Sequence, residues 1–522
     1  MDIKEKTRLF LEDNQNKLLI LLMAFASLVR LYYFFKVGEQ PIWWDEGDYL
    51  AVAKGLAYGW QGQEWWSHFS GIRPMLMPII WATFFLINSS ELVIRLFSLL
   101  IPSIISVYLV YAIGRDLYNK KVGLISGLML SVYWVHIFYT FRLLTDIPAM
   151  FFGLLSIYFF WCRYITKKED KGLYYATFFG VLGFATRFPL ALVPISYPLY
   201  LFTTKRFNLI KDKIFWKSIF IGLITLVTYF GITSMFGSNI FNAFKMYFGP
   251  TAVSLKTPIL TAAKDIFFMF PSLFEWLWFI FLLLGILTFI DIIFGFDLFL
   301  KQKEEKLNSQ FFVILWIFIT LFFYIIIIRG ANDRWLLMLM PVLFFISSKG
   351  ILLVYNNLKK YSNELSILIL ILLLFGGLYQ QIIHTNALID IKKNSYKEEQ
   401  LAGLWIKNNF NNKEKPRIIT ASVVQLAYYS EGYTYDFYTN QTPKECRDIY
   451  GSLNLSKYCQ EKTEEEFNKK IEKIKPDFLI VHVFEPIFTP QWAYNYPQKY
   501  NLTPVQGYLN DQNQPMLVIY KV

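Results

Sequence analysis

Trp43-Trp44-Asp45-Glu46-Gly47-Asp48-Tyr49 follows directly on the apolar run 18–36, the first stretch long enough to cross a bilayer. Carboxylates at such a boundary are costly unless they are used. A second acid, Asp146, stands between two later apolar segments in Arg142-Leu143-Leu144-Thr145-Asp146-Ile147-Pro148. If the two loops open on the same side, they present two carboxylate sites to one cleft at the lipid boundary.

The rest of the chain fits a membrane setting. It is 55% apolar and 17% charged, against roughly 45–50% and about 25% in soluble domains. A hydrocarbon core of roughly 30 Å needs about 20 helical residues per span, and helices satisfy their own backbone there. The apolar pattern predicts eleven spans, near 18–36, 91–112, 122–140, 147–163, 173–186, 188–203, 214–236, 272–296, 310–328, 335–354 and 364–384. The polar start before the first span, and the lack of a small-residue cleavage site, predict a retained anchor.

Cytoplasmic loops collect positive charge, which tests the count. Lys4, Lys6 and Arg8, then Arg115, Lys120 and Lys121, then Lys167, Lys168 and Lys171 fall on alternate loops. So do Lys205, Arg206, Lys211 and Lys213, then Lys301, Lys303 and Lys306, then Lys359 and Lys360. The alternation places the N-terminus inside and leaves the loop 37–90 outside. It also makes 73–88, interrupted by Pro74 and Pro78, an interfacial or re-entrant helix rather than a span. The net charge of +12 is spread over these loops instead of one face, so no nucleic-acid partner is expected.

The expected fold is thus an all-α polytopic membrane protein, residues 1–384, followed by an extracytoplasmic α/β domain, residues 385–522. In the latter, helices at 397–410 and 463–475 alternate with strands at 416–421, 477–483 and 516–520. Cys446 and Cys459 are expected to form a disulfide in an oxidising compartment, the competing reading being two free thiols. Asn440, Asn454 and Asn501 head Asn-x-Ser/Thr triplets.

Helical spacing puts Asp45, Asp48 and Tyr49 on one face, able to address a single ligand. A carboxylate in a partly dry cleft gains basicity, which suits deprotonation of a hydroxyl. Glu64, Trp65, Trp66, His68 and Arg73 add further functional groups to the same loop. The competing reading makes Asp45, Glu46 and Asp146 helix caps. Arg187, in Ala185-Thr186-Arg187-Phe188-Pro189, interrupts an apolar hairpin and requires an anion, a bundle partner or access to the interface. Arg329, Asp333 and Arg334 either flank a span or join the arginines that hold a lipid phosphate. The four histidines show no metal-ligand spacing, and no glycine-rich nucleotide fingerprint occurs. A lipid-borne substrate is the economical choice; no cofactor is required, and a divalent cation has no ligand set in the sequence.

The order Asp45-Glu46 with Tyr49, Arg73-Pro74, Glu91 with Arg95, Thr145-Asp146-Ile147-Pro148 and Thr186-Arg187-Phe188-Pro189 resembles the GT-C membrane glycosyltransferases of the protein O-mannosyltransferase and aminoarabinose-transferase type, RgtA/B/C/D-like members included. The likeness covers about the first 200 residues and, more loosely, Arg334-Trp335-Leu336-Leu337 and Pro341. It implies a GT-C fold and transfer of one sugar, a hexose such as mannose, from a polyprenyl or dolichyl phosphate to a hydroxyl of a protein, glycan or lipid at the outer face. It assigns catalysis to Asp45 and Asp146 with Glu46 assisting, and the donor phosphate to Arg187. Asp48, Tyr49, Arg73, Arg142 and Arg334 are the further substrate-binding candidates. Ile72-Arg73-Pro74-Met75 departs from the histidine and Lys-Pro-Pro of many relatives. A transporter or flippase of lipid-linked saccharides is the rival reading, without the inverted repeats that would mark it.

Overall fold

The computed structural model describes residues 14–59, 73–237, 241, 257–289, 305–411, 414–438, 457–485, 488–510 and 512–522. Glu64, Trp65, Trp66, His68, Asn440, Cys446 and Asn454 lie outside them. The chain forms two compact units: the described residues of 14–38, 73–77 and 91–390 make the first, and those of 39–59, 78–90 and 391–522 the second.

The first unit is helical. Among the described residues eight helices are long and apolar enough to cross a membrane, and a ninth if the pair Lys120–Val132 and Trp134–Thr140, bent by 53°, counts as one span. The fifth and sixth expected spans are helices of 17 and 14 residues, Asp170–Thr186 and Leu192–Lys205. Pro271, read as the edge of a span, instead lies inside the helix Ile259–Ile286, which breaks at Glu275. A proline cannot donate its backbone hydrogen bond, so it weakens a helix without having to end it.

Breaks in a membrane helix free backbone carbonyls that water cannot reach. Here a cation covers them. Arg30 is fully buried; its guanidinium donates to Ser131 O at 2.8 Å, Leu130 O at 3.3 Å and Ser103 Oγ at 2.5 Å. It also donates to Ala26 O at 3.3 Å and meets His136 Nδ1 at 3.0 Å. A guanidinium can only donate, so Nδ1 accepts and the imidazole proton sits on Nε2. Past the same break, Gln381 Oε1 accepts from Trp134 N at 3.0 Å, and Gln381 Nε2 donates to Leu273 O at 3.3 Å.

The second unit is built on a five-stranded sheet: β1 (Arg417–Ile419), β2 (Tyr433–Tyr435), β3 (Phe478–His482), β4 (Thr503–Leu509) and β5 (Pro515–Lys521), in the order β2-β1-β3-β5-β4. The first three run parallel and β5 and β4 close the sheet antiparallel. All five residues of β3 are buried, because both faces are covered. Ile418, Phe478 and Ile480 pack with Ala402 and Ile406 on one side. Ile419, Leu479 and Val481 meet Phe467 and Trp492 on the other.

The division expected at residue 384 falls at 390, since the helix Asn363–Lys392 outruns its apolar stretch. The outer loop, expected with the membrane part, contributes its first helix, Trp44–Tyr58, to the second unit. Aromatic and cationic contacts explain this. Trp44 stacks on Phe488 at 5.2 Å, Ile42 N donates to Tyr429 Oη at 3.0 Å, and Lys54 Nζ lies 4.0 Å over the Tyr428 ring. Cys459 is disulfide-bonded and Cys162 is free and buried.

A dry polar cluster closes the carboxyl ends of β1 and β3. Ser422 Oγ donates to Glu399 Oε1 at 2.6 Å, and His482 Nδ1 lies 4.0 Å from the same oxygen, all three side chains being buried. Burial holds the His482 pKa down to about 4 and the Glu399 pKa well above its usual value. The unfolded His482 takes up its proton near its ordinary pKa of 6.5, so its share of stability is complete above that pH and is lost as pH falls toward 4, up to about 3 kcal/mol. Glu399 works in the opposite sense, losing stability as pH rises past the ordinary carboxyl range. Denaturant titrations at pH 5 and 7 should therefore show His482→Asn gaining on the wild type as pH falls; a constant difference would contradict a neutral buried imidazole.

Candidate functional site

The helix Asp146–Tyr158 begins on its acid, and Pro148 suits the first turn of a helix. The Asp146 side chain is only 2% exposed. The positive end of the helix dipole favours it, but so weak a field does not offset the burial of a full charge. Arg187 supplies the rest: its Nη1 is bonded to Asp146 Oδ1. Arg187 holds an extended conformation between the helix Asp170–Thr186 and the turn Phe188–Ala191, where Pro189 prevents the helix from continuing. Arg334 Nη1 reaches Asp146 Oδ2 at 4.0 Å from the turn Asp333–Met338.

Three of the sequence candidates thus converge. Asp146, Arg187 and Arg334 line one small groove together with mostly apolar side chains, among them Leu190, Val193, Phe312, Trp316 and Ile319. The guanidiniums are about one-fifth exposed, 19% for Arg187 and 21% for Arg334, so both can meet a ligand while holding Asp146. Guanidinium pairs suit phosphate oxygens, and the groove walls suit an aliphatic chain.

Arg142 goes elsewhere. It is fully buried, 5.7 Å from the Phe138 ring, and is not part of the groove wall. Arg73 stands just before the helix Leu76–Leu86, where the next turn is anchored by Met75 N donating to Tyr229 Oη at 3.0 Å. Asp333, for which the sequence left open a place at a span end or beside the arginines, opens the turn that carries Arg334. Its carboxylate accepts from Arg334 N at 2.7 Å and from Tyr139 Oη at 3.3 Å. No local pattern joins residues this far apart in the chain; only an acid next to Arg334 hinted at it.

In the second unit, Asp45, Glu46, Asp48 and Tyr49 all lie in the first two turns of Trp44–Tyr58. Glu46 is fully buried and its Oε2 accepts from Trp43 N at 2.6 Å, which is capping geometry. Asp48 and Tyr49 are buried as well, Tyr49 edge-on to Trp81 at 6.2 Å. Asp45 is the partly exposed acid of this turn. Among the described residues no group of His, Cys, Asp and Glu is arranged to hold a metal ion.

The Asp146–Arg187 contact can be tested without substrate. Removing one member of a buried pair costs about 3–5 kcal/mol, mostly from the charge left behind; partial exposure of Arg187 places this pair at the lower end. Thermal melts in detergent should show Arg187→Met strongly destabilised and the double variant Arg187→Met/Asp146→Asn largely recovered. Additive losses in the double variant would dismiss the coupling.

Known proteins share this fold. Residues 73–230 match the family model for dolichyl-phosphate-mannose-protein mannosyltransferase. No curated protein sequence matches the chain. Among solved structures, ArnT from Cupriavidus metallidurans bound to undecaprenyl phosphate superposes with a TM-score of 0.60 at 11% identity, covering 96% of this chain and 97% of that one. The apo oligosaccharyltransferase of Archaeoglobus fulgidus gives 0.59 at 11% identity over 89% of this chain and 69% of that one. The oligosaccharyltransferase AglB from Archaeoglobus fulgidus, in complex with an inhibitory peptide and a dolichol-phosphate, gives 0.53 at 10% identity over 97% of this chain and 74% of that one. The chain has the GT-C glycosyltransferase fold and carries, over residues 73–230, the signature of the dolichyl-phosphate-mannose-protein mannosyltransferase family.

Proposed function

We propose that this protein is a multi-pass membrane glycosyltransferase that moves one hexose from a polyprenyl or dolichyl phosphate to a hydroxyl of a protein, glycan or lipid at the extracytoplasmic face. The observation that carries the reading is the pair Arg187 and Arg334 around Asp146, lining one small groove together with mostly apolar side chains. Phosphate and lipid chain each find their chemistry there. The neighbours captured with undecaprenyl phosphate and dolichol-phosphate support the donor class.

Transfer needs the acceptor hydroxyl to lose its proton as its oxygen bonds to the anomeric carbon. The bond from that carbon to the phosphate oxygen breaks, and its electron pair leaves with the lipid phosphate. Arg187 and Arg334 stabilise the charge that develops on the phosphate. Asp45 is our choice for the base: Glu46 is committed to its own helix start, while Asp45 remains partly exposed. Glu46 then assists by fixing the turn that presents Asp45. Asp146 holds the arginines in place, and Asp48, Tyr49 and Arg73 are assigned to the substrate side.

Loss of a general base typically costs 10²–10⁴-fold in rate. With labelled polyprenyl-phosphate hexoses and purified protein, Asp45→Asn should lose transfer by about that factor and keep donor binding. A capping role for Asp45 predicts the reverse, about 1 kcal/mol of stability lost with turnover intact. Near-normal turnover would remove Asp45 from the mechanism, and donor binding without any transfer by the wild type would favour a carrier of lipid-linked saccharides.

A further inference from the structure

Asp333 is an acid beside Arg334 that the reaction as written leaves idle. It opens the turn Asp333–Met338, half-buried between two apolar helices, Leu307–Ile328 and Met340–Leu358. Arg334 N donates to its Oδ1 at 2.7 Å, while Tyr139 Oη lies 3.3 Å and 3.5 Å from its two oxygens. The same Arg334 sends its side chain to Asp146, 4.0 Å away. Asp333 therefore grips the backbone of the residue whose guanidinium borders the groove.

We propose that Asp333 is a positioning residue that sets how strongly Arg187 and Arg334 attract the phosphate of a lipid-linked donor; this rests on the donor-site reading above.

The reasoning is one of charge. Asp146, Arg187 and Arg334 together carry one net positive charge. An ionised Asp333 cancels it, and a protonated Asp333 preserves it. Two bonded donors and the Arg334 charge favour the carboxylate. Burial opposes it and is the largest influence, with the negative Asp146 adding to it, so the proton is held above the ordinary carboxyl range. The titratable groups facing Asp333 are Tyr139 and Tyr133 from the helix Trp134–Thr140 and its start, Asp146 from the next helix, and Arg334 on its own turn. The helix Met340–Leu358 approaches with the apolar Met340-Pro341-Val342-Leu343. A neutral acid here strengthens the hold on an anion, and rising pH, by ionising Asp333, loosens it. Asparagine keeps both hydrogen bonds and mimics the protonated acid at every pH.

One unit charge several ångströms from a partly solvated phosphate changes affinity by roughly three- to ten-fold. Binding of undecaprenyl phosphate to the purified full-length protein in detergent should be compared for the wild type, Asp333→Asn, Asp333→Glu and Arg187→Ala at pH 5.5 and 8. The lipid's own ionisation is common to all, so the ratio of affinities is the readout. Asp333→Asn should bind roughly three- to ten-fold tighter than the wild type at pH 8, and its advantage should shrink at pH 5.5 as Asp333 takes up its proton. Asp333→Glu should restore the wild-type dependence. Tyr139→Phe, which removes one donor from the carboxylate, should move the wild-type weakening to higher pH. A wild-type to Asp333→Asn ratio that is the same at both pH values overturns the proposal, a uniform loss marking a structural role alone. If the wild type binds no better than Arg187→Ala at either pH, the donor-site reading itself fails, and the role of Asp333 falls with it.

Discussion

A carboxylate buried at the head of an apolar helix has to be compensated, and the helical unit is arranged to do so at Asp146. One guanidinium is bonded to it and a second stands at 4.0 Å. The helix dipole contributes on the order of 1 kcal/mol, far less than the cost of stripping water from a charge. Arg187 can reach Asp146 because Pro189 stops a helix at its neck, leaving an extended residue where a helical one would point along the bundle. The same compensation leaves these three side chains with one net positive charge, lining a groove with Leu, Val, Phe, Trp and Ile. Structural need and ligand chemistry are met by the same three side chains.

A second constraint is that a broken membrane helix must find partners for its loose backbone groups. The break between Val132 and Trp134 is covered by Arg30 on one side and by Gln381 on the other. The break at Glu275 sits beside the same helices, where His384 Nδ1 lies 2.5 Å from Glu275 Oε1 and its ring stacks on Trp134 at 4.2 Å. Bending the helix there directs Trp134–Thr140 so that its last turn brings Tyr139 to Asp333. An arginine fixed deep in the bundle thus helps to set the geometry beside the groove.

Much of this was legible in the residues. Arg187 and Asp146 drew notice because isolated charges in apolar surroundings need a reason; that each is the other's partner needed the fold, since no periodicity links two hairpins. Glu46 was legible as an acid in a first turn, a pattern shared by caps and catalysts, and its bond to Trp43 N has capping geometry. Arg142 was a substrate-binding candidate through the family resemblance, and among its contacts is the Phe138 ring at 5.7 Å. The span expected near 272–296 instead starts at Ile259, with Pro271 inside its helix. In the second unit β2 has three residues, too few for alternation to show. The helix Val423–Ser430 is buried on every side and so lacks an amphipathic stripe.

The central claim is that Arg187 and Arg334 receive a lipid phosphate while its chain follows the groove of Leu190, Val193, Phe312, Trp316 and Ile319. An experimental structure of the protein with undecaprenyl phosphate tests this directly. Phosphate oxygens within hydrogen-bond distance, roughly 2.7–3.2 Å, of both guanidiniums, with density for the polyprenyl chain along those apolar residues, is the expected result. A phosphate bound away from both arginines, with Asp146 and Arg187 still paired and the groove empty, would contradict it.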